Sequence, residues 1–204
     1  MAAGDAARDG IPFVGLTGGI GAGKSEALGA LERLGAATLS SDAIVHEILA
    51  TDEARDDLVE RLGPDVAPGG RVDRDAVARA VFDDPDARGW LEGYLWPRVG
   101  GRIAAWRTQL DARDPRPSAA VVEVPLLFES GMEGVFDHTI AVVADDELRA
   151  ERIGARGHAA VASRESRQLD QLEKAQRADF SVRNDGTVEE LERELSQVLG
   201  TMRS

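Results

Sequence analysis

The chain has 204 residues, 43% hydrophobic and 30% charged, the profile of one soluble domain that can bury a core without covalent staples. It contains no cysteine, which excludes a disulfide scaffold, a thiolate nucleophile and any Cys-based metal site. The net charge of −13 argues against broad capture of nucleic acid or an anionic membrane.

No apolar run approaches the roughly 20 residues that would span a bilayer. The opening MAAGDAARDG carries two Asp and no apolar stretch, so it is not a signal peptide. A cytoplasmic address follows as the default, and residues 1–10 read as a flexible extension.

In chain order, 11–17 is a short apolar run ending in a cluster of glycines, which predicts a buried strand. Ala27, Leu28, Leu31 and Leu34 recur at helical spacing, so a helix over 24–34 follows the glycines. A strand is expected at 36–39 and a helix at 42–49, with Ser41 or Asp42 as its N-cap. From about 53 to 113 the pattern is helical, interrupted by a Gly/Pro loop at 63–70. Helices are expected at 73–81 and 85–110, the second broken at Pro97. Trp90, Tyr94, Trp96 and Trp106 fall at helical spacings and read as core. Strands are predicted at 119–124, 138–143 and 180–182, and helices at 147–156, 164–176 and 188–199. Strands alternating with helices give an α/β fold with a mainly parallel five-stranded sheet.

The run from Gly18 to Ser25 is G-x-x-x-x-G-K-S, with a strand before it and a helix after it. A loop that wraps a phosphate must turn its backbone N–H groups inward, and a Cβ would obstruct that approach. The pattern makes Gly19, Gly21, Ala22, Gly23, Lys24, Ser25 and Glu26 candidate ATP-binding residues. Lys24 would reach the β- and γ-phosphates as a mobile charge, and Ser25 would place its hydroxyl on Mg²⁺. Lys24 is one of only two lysines, the other being Lys174, among 22 arginines. No N-K-x-D for guanine is present. A small kinase is favoured, built from a P-loop core, a helical acceptor-binding insertion and an Arg-bearing lid.

Asp42 closes the second strand, where open α/β sheets place ligands, and could act on the acceptor hydroxyl; its bland reading is a helix cap. Arg152 and Arg156 are spaced i, i+4 on one helix face and could clamp a transferring phosphoryl group or stack on adenine. Arg149 falls off that face and reads as a surface residue. Glu129 reads equally as a holder of acceptor or metal waters, a cap or a surface carboxylate. His46, His138 and His158 have no ligand spacing.

The sequence resembles the dephospho-coenzyme A kinase family through most of its length. Leu16–Ser25 is similar to that family's L-T-G-G-I-G-S-G-K-S, with Ala22 for Ser. Further matches are Gly70-Arg71-Val72-Asp73-Arg74, Val81-Phe82, Trp90-Leu91, and Val124-Pro125-Leu126-Leu127-Phe128-Glu129. Gln168, Glu173-Lys174, Ala178-Asp179 and Asn184-Asp185-Gly186 follow in the family's order. Ser40 stands for the family's usual first Asp, Trp96-Pro97 for its His-Pro, and the lid segment is a few residues short.

The resemblance implies transfer of the ATP γ-phosphate to the ribose 3′-hydroxyl of dephospho-coenzyme A, with Mg²⁺. It assigns Asp42, Lys24 and Arg156 to catalysis, Arg152 and Arg156 to ATP, and Asp42, Leu126 and Glu129 to the acceptor. The implied organisation is a single domain over 11–204, with a core of 11–50 and 117–204, an insertion at about 53–113 and a lid at about 156–167. ATP and dephospho-coenzyme A are the expected partners of a monomer or weak homo-oligomer, without nucleic acid or membrane. The alternatives are another small-molecule P-loop kinase, with a nucleoside, nucleotide or shikimate-like acceptor, and a nucleotide-binding regulator without catalysis.

Overall fold

The computed structural model describes residues 10–154 and 168–202. Arg156, the foreseen lid and residues 1–9 of the extension lie outside them. The described residues divide into two compact units. One is Ser40–Arg107; the other comprises the residues up to Leu39 and from Thr108 onward.

The second of these carries the sheet. Its strands are β1 (Phe13–Gly18), β2 (Ala37–Ser40), β3 (Ala120–Glu123), β4 (His138–Val143) and β5 (Phe180–Arg183). They lie in the order β2-β3-β1-β4-β5. β1 runs parallel to both β3 and β4, and β4 runs parallel to β5, as the alternation of strands and helices predicts. All six residues of β1 are buried, including Thr17. A strand without a polar face must have both faces covered, which is the environment of a parallel sheet. Helices α1 (Lys24–Arg33) and α8 (Val188–Thr201) supply part of that cover. Ala27, Ala30, Leu31, Leu191, Leu195 and Leu199 join Val14, Leu16, Ile140 and Val142 in one core cluster. Helices α6 (Asp146–Gly154) and α7 (Gln171–Arg177) complete this unit. Residues 164–167 of the helix expected at 164–176 are not among those described.

Two side chains stitch the sheet from outside its ladders. Asp137 accepts the Phe13 N–H at 3.0 Å, and Asp179 accepts both the N–H and the hydroxyl of Thr139 at 2.8 Å. Asp179 therefore has a structural task in tying the entry of β5 to β4.

The other unit is helical. It holds α2 (Ser41–Leu49), α3 (Asp52–Leu62), α4 (Arg74–Phe82) and most of α5 (Pro85–Leu110). The N-cap of α2 is Ser40, not Ser41 or Asp42. Helix α5 runs unbroken through Pro97, contrary to the expected break. Proline removes its own N–H and disturbs the carbonyls of the preceding turn. The carbonyl it strands is that of Gly93; the adjoining Tyr94 carbonyl accepts from the Arg98 guanidinium at 2.9 Å. Trp90, Tyr94, Trp96 and Trp106 are half-buried, not core. Trp90 stacks on Tyr94 with centroids 5.4 Å apart, and the Arg98 guanidinium lies 3.7 Å from the Tyr94 ring centre. Arg61 lies over the Trp90 ring and Arg98 over that of Tyr94, while the buried side chains of the unit are mostly aliphatic.

Candidate functional site

The phosphate loop occupies the turn between β1 and α1, where the sequence placed it. Gly18 stands opposite Val142 in the β1–β4 pair, and a Cβ there would come within 2.4 Å of the Val142 carbonyl oxygen. Gly23 is the N-cap of α1, with φ 89° and ψ 32°, so the helix opens from a left-handed residue. The Ala27 N–H donates to its carbonyl at 3.0 Å. This turn presents the first N–H groups of α1 and the positive end of its dipole outward, an arrangement suited to an anion. Lys24 Nζ donates to the carbonyls of Gly18 and Gly19, each at 3.1 Å. Ser25 and Glu26 are exposed in the first turn of α1, and Ala22 is fully buried beneath the loop.

The underside of the loop is held by residues from far along the chain. Asn184 Nδ2 donates to the Ala22 carbonyl at 3.1 Å. Arg152 donates from Nη1 to the Gly21 carbonyl at 3.4 Å and from Nη2 to the Asn184 carbonyl at 3.0 Å. Arg149 Nε donates to the Ile20 carbonyl at 3.0 Å, and its Nη1 pairs with Asp146 at 2.7 Å. Arg149 is therefore no surface residue: its side chain is 18% exposed and grips the loop. A helix face read from i, i+4 spacing alone missed this, because the long arginine stem reaches across to the loop. Arg152 reaches the loop from α6, and its guanidinium is engaged with two backbone carbonyls.

Gln171 extends the same support. Its amide accepts the Ala144 N–H at 3.1 Å and donates to the Ala144 carbonyl at 2.8 Å, pairing that residue as a neighbouring strand would. Its Cβ lies 3.2 Å from the place a Cβ on Gly19 would take. The Asn184-Asp185-Gly186 run now has a physical account. Asn184 clamps the loop, while Asp185 accepts the Asp145 N–H and pairs with Arg183. Gly186 leaves room for Glu190, which closes a capping box with Thr187 at the start of α8.

Gly23→Ala tests this construction. The new Cβ would sit 1.9 Å from Asn184 Nδ2, at a φ that L residues rarely adopt. A cost of about 1–3 kcal/mol is expected, read as a Tm lower by roughly 2–12 °C in calorimetry, with ATP affinity reduced in the same variant.

After β3, Val124 donates to the Leu16 carbonyl at 2.8 Å, and 125–129 turns away from the sheet. Leu126 is half-buried there. Glu129 is neither a cap nor a surface carboxylate. Its Oε1 lies 3.0 Å from Lys174 Nζ and accepts the Leu169 N–H at 2.7 Å. Burial drives the Lys174 ammonium below the usual lysine range, opposed by the hydrogen bond and charge of Glu129. Sequence reasoning gave Lys174 no role beyond its place in a motif; the available signal was its rarity.

Asp42 stands in the first turn of α2, directly after β2, exposed and with no hydrogen bond or ion pair among the described residues. Its carboxylate is thus not consumed as a cap. Three or more His, Asp or Glu side chains do not cluster as a metal site among the described residues. No helix among them is long and apolar enough to cross a membrane.

A glycine-built phosphate loop between the central strand of a parallel sheet and its helix, with Lys24 on the loop and Ser25 beside it, defines a P-loop nucleotide-binding protein. Known proteins make the class narrower. The family model for dephospho-CoA kinase matches residues 12–190. A dephospho-CoA kinase of Protochlamydia amoebophila is 37% identical over 91% of this chain and 93% of that protein. One from Moorella thermoacetica is 40% identical over 81% of this chain and 78% of its own. The crystal structure of TT1252 from Thermus thermophilus superposes with a TM-score of 0.78 at 34% identity, covering 95% of this chain and 98% of that one. Dephospho-CoA kinase from Campylobacter jejuni gives 0.66 at 28% identity, over 93% and 96% of the two chains. The chain belongs to the dephospho-CoA kinase family.

Proposed function

We propose that the protein transfers the γ-phosphate of ATP to the ribose 3′-hydroxyl of dephospho-coenzyme A, completing coenzyme A. The observation that carries this reading is the phosphate loop, with Lys24 over the Gly18 and Gly19 carbonyls, in a chain of this family. In-line phosphoryl transfer asks the protein for positioning and charge neutralisation more than for covalent chemistry. Gly19, Gly21, Ala22 and Gly23 supply the backbone cradle, and Lys24 exchanges loop carbonyls for phosphate oxygens.

Ser25 fits Mg²⁺. Its hydroxyl is exposed in the first turn of α1, and Mg²⁺ takes few protein ligands when phosphates complete its shell. Bound there, the ion would neutralise charge on the β- and γ-phosphates. Asp42 is the residue that accepts or orients the acceptor's hydroxyl proton, supported by a carboxylate at the exit of β2 that is exposed and unpaired among the described residues. Arg152 and Arg156 serve the nucleotide, and Leu126 and Glu129 the acceptor. We place the protein in the cytoplasm, as a monomer or weak homo-oligomer that binds neither nucleic acid nor membrane.

The test is direct. Incubation with ATP, Mg²⁺ and dephospho-coenzyme A yields coenzyme A and ADP, read by mass spectrometry. Absence of product, with turnover of a nucleoside, nucleotide or shikimate instead, refutes the proposed acceptor. ATP binding without transfer to any acceptor refutes catalysis.

A further inference from the structure

Lys174 is fully buried, yet none of the chemistry assigned above uses it. Its Nζ donates to the Pro125 carbonyl at 2.5 Å and pairs with Glu129 Oε1 at 3.0 Å. The Thr17 hydroxyl donates to the same carbonyl at 3.3 Å. Thr17 adjoins Gly18, whose own carbonyl accepts from Lys24. The only two lysines of the chain are thus joined by a short path through the root of the phosphate loop.

The far side of Glu129 is different. Its Oε2 is buried and accepts no hydrogen bond among the described residues. Gln168 Oε1 is in the same state, one residue before the Leu169 N–H that bonds Glu129. Buried acceptors without donors are costly, and such oxygens are matched when hydroxyl or amide N–H groups of a bound molecule reach them. Dephospho-coenzyme A carries both kinds of donor, on its riboses and its pantetheine arm.

We propose that Glu129 Oε2 and Gln168 Oε1 receive hydrogen-bond donors of the acceptor, and that Lys174 is the positioning residue that holds Glu129 and the Pro125 carbonyl for this. The inference rests on the acceptor reading above. A lysine suits the place better than the arginine used elsewhere: one compact charge meets a carbonyl and a single carboxylate oxygen, where a planar fork demands a wider slot. Removing it leaves Glu129 buried without its counter-charge, which displaces the carboxylate or protonates it. Nucleotide binding, resting on backbone N–H groups and Lys24, should be spared.

The absence of cysteine permits a clean test. Lys174→Cys gives a single thiol that can be alkylated in the unfolded chain and the protein then refolded, with wild type taken through the same cycle. Bromoethylamine restores an ammonium at lysine length, while iodoacetamide leaves a neutral amide. The neutral adduct is expected to lose about tenfold or more in kcat/KM for the acceptor, with ATP affinity within about twofold. The aminoethylated protein should recover most of that loss. Equal acceptor kcat/KM in the two adducts overturns the proposal, as does a parallel fall in ATP affinity. If the neutral adduct does not refold, Lys174→Met/Glu129→Gln replaces it, removing both charges at similar volume. Wild-type kcat/KM in that double variant overturns the proposal, and a selective acceptor loss supports it. Wild type failing on dephospho-coenzyme A refutes the substrate reading instead; the comparison then runs with the acceptor that wild type phosphorylates.

Discussion

Lys24→Ala is expected to lower kcat/KM by about 10³-fold or more if, as proposed, its ammonium is the mobile protein charge at the transferred phosphoryl group. Lys24 Nζ now rests 3.1 Å from the Gly18 and Gly19 carbonyls, on a flexible stem that needs only rotamer changes to reach phosphate. Lys24 is half-buried and carries no core packing, so Tm should move by less than about 2 °C. Lys24→Arg should recover little of the loss, because a planar fork does not fit a cradle shaped around one ammonium. Steady-state kinetics with calorimetric ATP titration separates the two effects. A loss below tenfold would mean that the loop's backbone and Mg²⁺ carry the charge stabilisation without it.

Asp42→Asn is the second large effect. The change keeps shape and removes the ability to take a proton, and kcat should fall by about 10²–10³-fold. Because Ser40, not Asp42, is the N-cap of α2, stability should stay within about 0.5 kcal/mol of wild type. ATP affinity should be unchanged, which distinguishes this variant from Lys24→Ala. Single-turnover measurement of phosphoryl transfer reads the chemical step directly. Unchanged kcat would remove Asp42 from catalysis and leave positioning by the loop as the main source of rate.

What the sequence made legible was local. The glycines at 18, 21 and 23, Lys24 and Ser25 lie within eight consecutive residues, so the turn, the helix start and the anion site are all written in one place. The apolar runs that became β1, β3 and β4 were equally readable, because strands buried on both faces have no polar alternation to confuse them. The break expected at Pro97 rests on one lost N–H and a local clash, which a helix of 26 residues absorbs. Arg149, Gln171, Asn184 and Lys174 were invisible as support for the site for another reason. Each acts on residues at least 27 positions away, and only the folded sheet brings the partners together. Glu129 could be singled out but not resolved, since its environment depends on Lys174 and Leu169 some 40 positions later.

The clamp on the phosphate loop bears on when the protein becomes active as it is made. The motif is made well before its clamps: the bond from Asn184 to Ala22 spans 162 positions, and those from Arg149 and Arg152 span 129 and 131. Contacts of such separation form late and slow a fold dominated by them. A nascent chain that already displays the whole glycine motif therefore lacks the groups that fix its shape. A chain truncated before Asn184 is therefore expected to bind ATP more weakly than the full chain.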